Sequence, residues 1–219
     1  MIVKINNIYT IIFNFLFCNY KKLPYICKMK VVFLDNDGVI CLPKNWGSRF
    51  KKTKAYSNVV FGLDGSIPVE FRFDNFDKKA IKVLNEILTE TGAEIVVSSD
   101  WRHHATLEEM GEYYTSQGII KKPIGLTPKT EDIDSKWWSR FKNQALLEDE
   151  RVIEIRYWLE HHPEVTHWVA VDDLNLGIYE PISGDIFNED GLINFVHTRK
   201  LNEGIKQTGI KDKILNFLK

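Results

Sequence analysis

Residues 31–40 read Val-Val-Phe-Leu-Asp-Asn-Asp-Gly-Val-Ile, VVFLDNDGVI. The first four are β-branched, aromatic or aliphatic with no polar residue on either side of the alternation, the pattern of a strand buried on both faces of a parallel sheet. Asp35, Asn36, Asp37 and Gly38 follow at once, so the strand runs into a tight polar loop at its carboxyl end.

Two further segments repeat this arrangement. Residues 93–97 are apolar apart from Glu94 and end at Ser98-Ser99-Asp100-Trp101-Arg102, and residues 167–171 end at Asp172-Asp173. Between them lie helical patterns. Phe76, Ala80, Val83, Leu84, Ile87 and Leu88 recur at helical spacing over residues 75–91, with Gly92 as the stop. Thr106 and Glu109 form a capping box for a helix ending near Gly118. Residues 150–161 read as a third helix, residues 119–126 and the pair Phe195-Val196 as further strands, residues 127–149 as a polar loop, and residues 209–218 as a terminal helix. Strands alternating with helices predict α/β architecture: a doubly wound, mostly parallel sheet. The interval after the first loop is an insert. Its basic and aromatic part, residues 44–56, precedes a predicted hairpin in which residues 59–63 and 67–73 flank Asp64-Gly65.

The chain has 219 residues, 44% hydrophobic and 27% charged, enough for one substantial core and one domain, placed at residues 29–219. A formal net charge of -1 excludes a surface coated in positive charge for nucleic acid. Cys18, Cys27 and Cys41 form neither a CxxC pair nor a disulfide framework, and no zinc spacing joins them to the histidines, so a reducing, cytoplasmic setting is expected. Residues 1–28 carry an apolar stretch, 8–18, behind Lys4. It is short for a bilayer span and interrupted by Asn14, so it reads as an appendage rather than an anchor or signal, and no stable membrane partner is expected.

In parallel α/β sheets ligands bind beyond the carboxyl ends of the strands, and here those ends carry Asp35 with Asp37, Ser98, and Asp172 with Asp173. Carboxylates brought together this way repel one another unless a cation binds, and an all-oxygen ligand set suits Mg2+. Phosphoester cleavage needs a nucleophile, a proton donor for the leaving group and positive charge on the phosphoryl oxygens. With a cation bound, Asp35 can attack phosphorus, and Asp37, two residues on, can reach the leaving oxygen to donate a proton and later activate water. Each motif alone has a plain structural reading: Asp-x-Asp-Gly as a turn, Ser98 as a strand-end cap, Asp172-Asp173 as a turn cap. Their joint occurrence, each after a buried strand, carries the argument.

VVFLDNDGVI, IVVSS and HWVAVDD resemble the first, second and fourth motifs of the haloacid dehalogenase (HAD) superfamily, over residues 29–173. The resemblance implies a Rossmann-like core with Asp35 as nucleophile, Asp37 as general acid and base, and Ser98 as a phosphate donor. It also implies a metal site of Asp173, Asp172, the Asp35 carboxylate and the Asp37 carbonyl. The third motif, usually a lysine opening the helix before the last catalytic strand, falls on Arg151, with Lys136 and Lys142 in the preceding loop as alternatives. SSDWR, RVIEIRYWLEHHPE and VHTRKLNEGI resemble, more narrowly, the HAD domain of Swiss Army Knife RNA-repair proteins.

The expected activity is therefore phosphomonoester hydrolysis with a small flap and hairpin insert and no large cap domain. The expected substrate is a phosphorylated small molecule or a nucleic-acid end. The candidate substrate contacts are Arg102 at the site rim, which alternatively steadies the loop after Ser98, and Lys51 and Lys52 among Lys44, Trp46, Arg49, Phe50, Lys54 and Tyr56, a stretch that reads equally as a solvated basic loop. Trp101, Trp137, Trp138 and Trp158 read as packing, and His103-His104 and His161-His162 as surface pairs. The rival from another class is a non-catalytic phosphate- or nucleic-acid-binding adaptor on the same fold.

Overall fold

The computed structural model describes residues 28–60, 67–140, 147–177 and 191–219. Its elements are β1 (Met29–Leu34), α1 (Ser48–Val60), α2 (Val69–Arg72), α3 (Lys78–Thr91), β2 (Glu94–Val97), α4 (Leu107–Ser116), β3 (Gly125–Leu126), α5 (Ser135–Trp138), α6 (Leu147–Glu160), β4 (Val165–Asp172), β5 (Phe195–His197) and α7 (Ile210–Leu218). All pairings are parallel, in the order β3-β2-β1-β4-β5.

The period of two along β1 splits the core between the two faces of the sheet. Val32 and Leu34 face one side, with the apolar stripes of α3, α4 and α7 through Leu84, Ile87, Met110, Tyr114 and Ile214. Val31 and Phe33 face the other, against Val152, Ile155 and Trp158 of α6. Helices thus cover both faces. β1 pairs with β2 on one side and with β4 on the other, so the chain order reverses between β1 and β4. That reversal is the crevice in which a doubly wound sheet receives its ligand.

Local signals account for the helix ends. Asp77 caps α3 by accepting from the Lys79 and Ala80 N–H groups, and Gly92 closes it in the left-handed conformation. At α4 both halves of the Thr106/Glu109 capping box form.

Three expectations change. The insert is helical rather than a hairpin: Val59 and Val60 lie in α1, and residues 69–72 form α2, beginning after Pro68. Residues 61–66, the expected turn with its Asp64-Gly65, fall outside the described residues, as do 1–27. The strand expected over 119–126 shrinks to Gly125–Leu126, since it pairs only with Val96 and Val97. The polar loop contains a 3-10 turn, Thr130–Asp132, and α5. No helix among the described residues is long and apolar enough to cross a membrane.

Candidate active site

Asp35 stands one residue beyond β1, and Asp172 and Asp173 at the end of neighbouring β4. The register Leu34↔Val171 places the two strand ends side by side, and the Asp35 N–H donates to the Val171 carbonyl at 3.1 Å. One oxygen from each of Asp35, Asp172 and Asp173 lies within 4.8 Å of the others. Gly38 makes the approach of the two loops possible. It adopts φ +66°, and a Cβ there would lie 2.4 Å from Asp173 Oδ2.

Arg151 reaches this cluster from α6. Its Nη1 is 3.1 Å from Asp35 Oδ1 and donates to Asp172 Oδ2 at 3.0 Å, while Nη2 donates to Asp100 Oδ1 at 2.8 Å. One planar fork thus serves three carboxylates. Lys136 is exposed on α5, and Lys142 lies outside the described residues. Burial, then the Asp172 charge, push the Asp35 carboxyl well above its usual range, against the pull of Arg151. Burial likewise raises Asp172 and Asp173, each against Arg151. For Arg151 burial works against the charge, but Asp35 and Asp172 outweigh it and raise its pKa. Asp172 has both oxygens occupied, Oδ1 by the Leu174 N–H at 2.8 Å and Oδ2 by Arg151. Asp173 has the freer carboxylate.

The Asp37 carboxyl is not one of the three that cluster; it accepts a 2.7 Å bond from Trp101 Nε1 on Oδ2. Burial raises its pKa, partly offset by that donor. Its contribution to a cation would be the main-chain carbonyl. Ser98 is 1% exposed at the end of β2, and its Oγ has no partner among the described residues. A buried hydroxyl without a partner is costly, which suits a group that bonds a ligand.

Arg102 takes the loop-steadying place that the sequence also allows. It is 6% exposed and its Nη2 donates to both Glu154 Oε1 and Oε2 at 2.6 Å, which ties the loop after Ser98 to α6. Lys52 donates to the Phe73 carbonyl at 2.7 Å and Asn75 Oδ1 at 3.1 Å. Lys44 pairs with Asp77. Lys51 and Arg49 remain exposed on α1, beside Trp46 and Phe50, which are 49% and 66% exposed. A cavity of about 310 Å3 lined by Arg49, Arg72, Phe73, Trp101 and His104 opens beside the indole that holds Asp37.

Trp137 and Trp158 pack in the interior, and His103, His104 and His161 are exposed, as the sequence suggested. Half-buried His162 stacks on Trp158.

Several residues of the site gave little warning. Asp100 and Glu154 are not singled out by the sequence, yet they anchor Arg151 and Arg102. At the end of β5, His197 Nε2 hydrogen-bonds the Asp173 carbonyl at 2.8 Å, and just beyond it the Thr198 N–H donates to the Asp172 carbonyl at 2.8 Å. Gly204, φ +54°, passes so close to the first loop that a Cβ would lie 2.2 Å from the Val39 carbonyl oxygen. For Trp101, which also reaches the site, the signal was chemical: an indole N–H two residues beyond Ser99 only donates, and when buried it takes an acceptor nearby.

The model of a protein family described as the HAD domain in Swiss Army Knife RNA repair proteins matches residues 31–200, most of the chain and every residue of the cluster. No curated protein and no solved structure matches.

Proposed function

Because the chain belongs to the family of HAD domains in Swiss Army Knife RNA repair proteins, we propose that it is a magnesium-dependent phosphomonoester hydrolase acting on nucleotides or nucleic-acid ends through an aspartyl phosphate. The observation that carries this reading is the convergence of Asp35, Asp172 and Asp173 within 4.8 Å, with Arg151 between Asp35 and Asp172, at the chain reversal of the sheet.

The donor set fits magnesium: it is all oxygen, it is short of positive charge, and Gly38 leaves room for Asp173 against the first loop. Magnesium, when bound, offsets charge on the carboxylates and the phosphoryl oxygens. Asp35 and Asp173, with the Asp37 carbonyl, would hold it, and Asp172 would orient Arg151 from behind. An Asp35 oxygen attacks phosphorus as the bond to the leaving oxygen breaks. Asp37 gives that oxygen a proton and then takes one from the water that cleaves the acyl phosphate. Arg151 and the Ser98 hydroxyl face the charge that develops on the phosphoryl group.

Exposed Arg49, Lys51, Trp46 and Phe50 near the leaving-group side support a nucleic-acid or nucleotide substrate, since cations attract phosphates and aromatic faces stack bases. The test is turnover of small phosphate esters and of 3′- or 5′-phosphorylated oligonucleotides, with magnesium and with chelator. Magnesium-dependent phosphate release that disappears in a folded Asp35→Asn variant is expected. Phosphate release that survives Asp35→Asn sinks the nucleophile assignment, and oligonucleotide binding without release points to an adaptor.

A further inference from the structure

Trp101 belongs to the short turn Asp100–His103 that follows β2, whereas Asp37 belongs to the loop after β1. The indole crosses between them to reach Asp37 Oδ2 at 2.7 Å. Its ring is 8% exposed and cannot swing. Phe73 stacks on it at 4.5 Å between centroids and 5° between planes, and Phe76 stacks at 5.4 Å and 17°. Both phenylalanines come from the stretch joining the insert to α3, and both also pack on Tyr113 of α4. A rigid aromatic stack therefore ends in one hydrogen-bond donor aimed at one carboxyl oxygen.

From this geometry, and resting on the hydrolase reading above, we infer that Trp101 is the positioning residue for proton transfer by Asp37. An indole N–H only donates. It occupies Oδ2 in either state of the carboxyl, which leaves Oδ1 as the oxygen that exchanges the proton. When the phosphorus–oxygen bond breaks, its electron pair goes to the leaving oxygen, which takes the proton from Oδ1, and Asp37 is left as a carboxylate. The indole bond is stronger to that carboxylate than to the acid, so it favours the direction of transfer. The buried Cys41 thiol is a weaker donor to the same side chain.

The inference separates Trp101 from a packing residue through the leaving group. An alkoxide needs its proton as it departs, whereas p-nitrophenolate leaves readily without one. Trp101→Phe keeps an aromatic ring and removes the N–H. With a phosphorylated oligonucleotide the variant is expected to lose about 30-fold to 100-fold in kcat with little change in KM, at or below the low end of the roughly 100-fold to 10,000-fold that general acid catalysis contributes, since the variant keeps the acid and loses only its positioning. With p-nitrophenyl phosphate the loss should stay below about threefold, because little of that rate rests on the acid. In an Asp37→Asn background, adding Trp101→Phe should cost nothing further, since residues acting through one another are not additive. Replacing Trp101 by 3-benzothienylalanine, which keeps the bicyclic shape and puts sulfur for N–H, should reproduce the Phe result even if Phe loosens the stack. Equal losses on the two esters, an additive loss with Asp37→Asn, or wild-type rates in the benzothienyl variant would overturn the inference alone. Absence of wild-type turnover on both esters would overturn the hydrolase reading and this inference with it.

Discussion

Arg151 shows how much chemistry one side chain concentrates. It is 5% exposed as a residue, and its two terminal nitrogens meet Asp35, Asp172 and Asp100. A lysine could supply the charge but not the fork, which reaches in two directions from a fixed plane. Arg151→Ala should therefore lower the single-turnover rate at least 100-fold, as loss of a charged transition-state contact of roughly 3 kcal/mol or more implies. Exposed Lys136, changed to alanine, should stay within a few-fold. Circular dichroism of each variant separates lost chemistry from lost fold, and a near-normal Arg151→Ala rate would remove arginine from the mechanism. The carboxylates were legible because each closes a buried strand, and Arg151 because it falls near the start of the helix before β4. For Arg102 the sequence leaves two roles open, steadying the loop or touching phosphate; it places Glu154 one helical turn from Arg151 but does not reveal that Glu154 receives the Arg102 guanidinium. The partner of a buried charge is a property of packing.

Elements were legible where a local rule decided them, as with the buried strands, the α4 capping box and Gly92. They were not legible where burial decided. The insert flanks Asp64-Gly65 with two largely apolar runs as a hairpin does, but Phe73 and Phe76 are claimed by the Trp101 stack and the adjoining segments are helical. The insert is fastened at the start of α3. There Asp77, 2% exposed, caps the helix and pairs with Lys44 from the insert and with Lys206, at 3.1 Å, from the turn before α7. Burial alone would raise its pKa, yet Lys44, the Ala80 N–H and Lys206 bring it down to about 2. Asp77→Ala should cost about 2–3 kcal/mol in urea unfolding at neutral pH, combining a lost cap with lost charge-assisted bonds. The sign with pH follows. A carboxyl depressed in the folded state contributes fully above its unfolded value of roughly 4 and loses that contribution as pH falls toward 2. The gap between wild type and variant should therefore narrow between those limits, and a gap constant over that range would show that the cost is packing rather than charge.

At the scale of the molecule, the fold brings like charges together. Asp35, Asp172 and Asp173 share a small volume with Arg151 as the compensating cation bonded to two of them, while the chain as a whole carries a formal charge of only -1. The repulsion is thus local, built in by two parallel strands that end side by side and by Gly38 letting their loops close. The sheet, covered on both faces, sustains it, and the segment from His197 to Gly204 pins both loops from outside. Such a site trades stability for function, so removing the carboxylate that Arg151 does not bond should stabilise the metal-free protein. In chelator, Asp173→Asn is expected to melt above wild type by about 2–4 °C, the shift for roughly 1 kcal/mol in a protein of this size. Magnesium should reverse the order. A cation that binds the folded state alone raises the wild-type melting temperature in proportion to the logarithm of its concentration, and the variant, lacking a ligand, should respond weakly. Differential scanning calorimetry across a magnesium series reads both effects in one experiment. A variant that melts no higher in chelator, and gains as much from magnesium as wild type does, would mean that Asp173 is neither strained by its neighbours nor a ligand, and the cation site would have to be sought away from the end of β4.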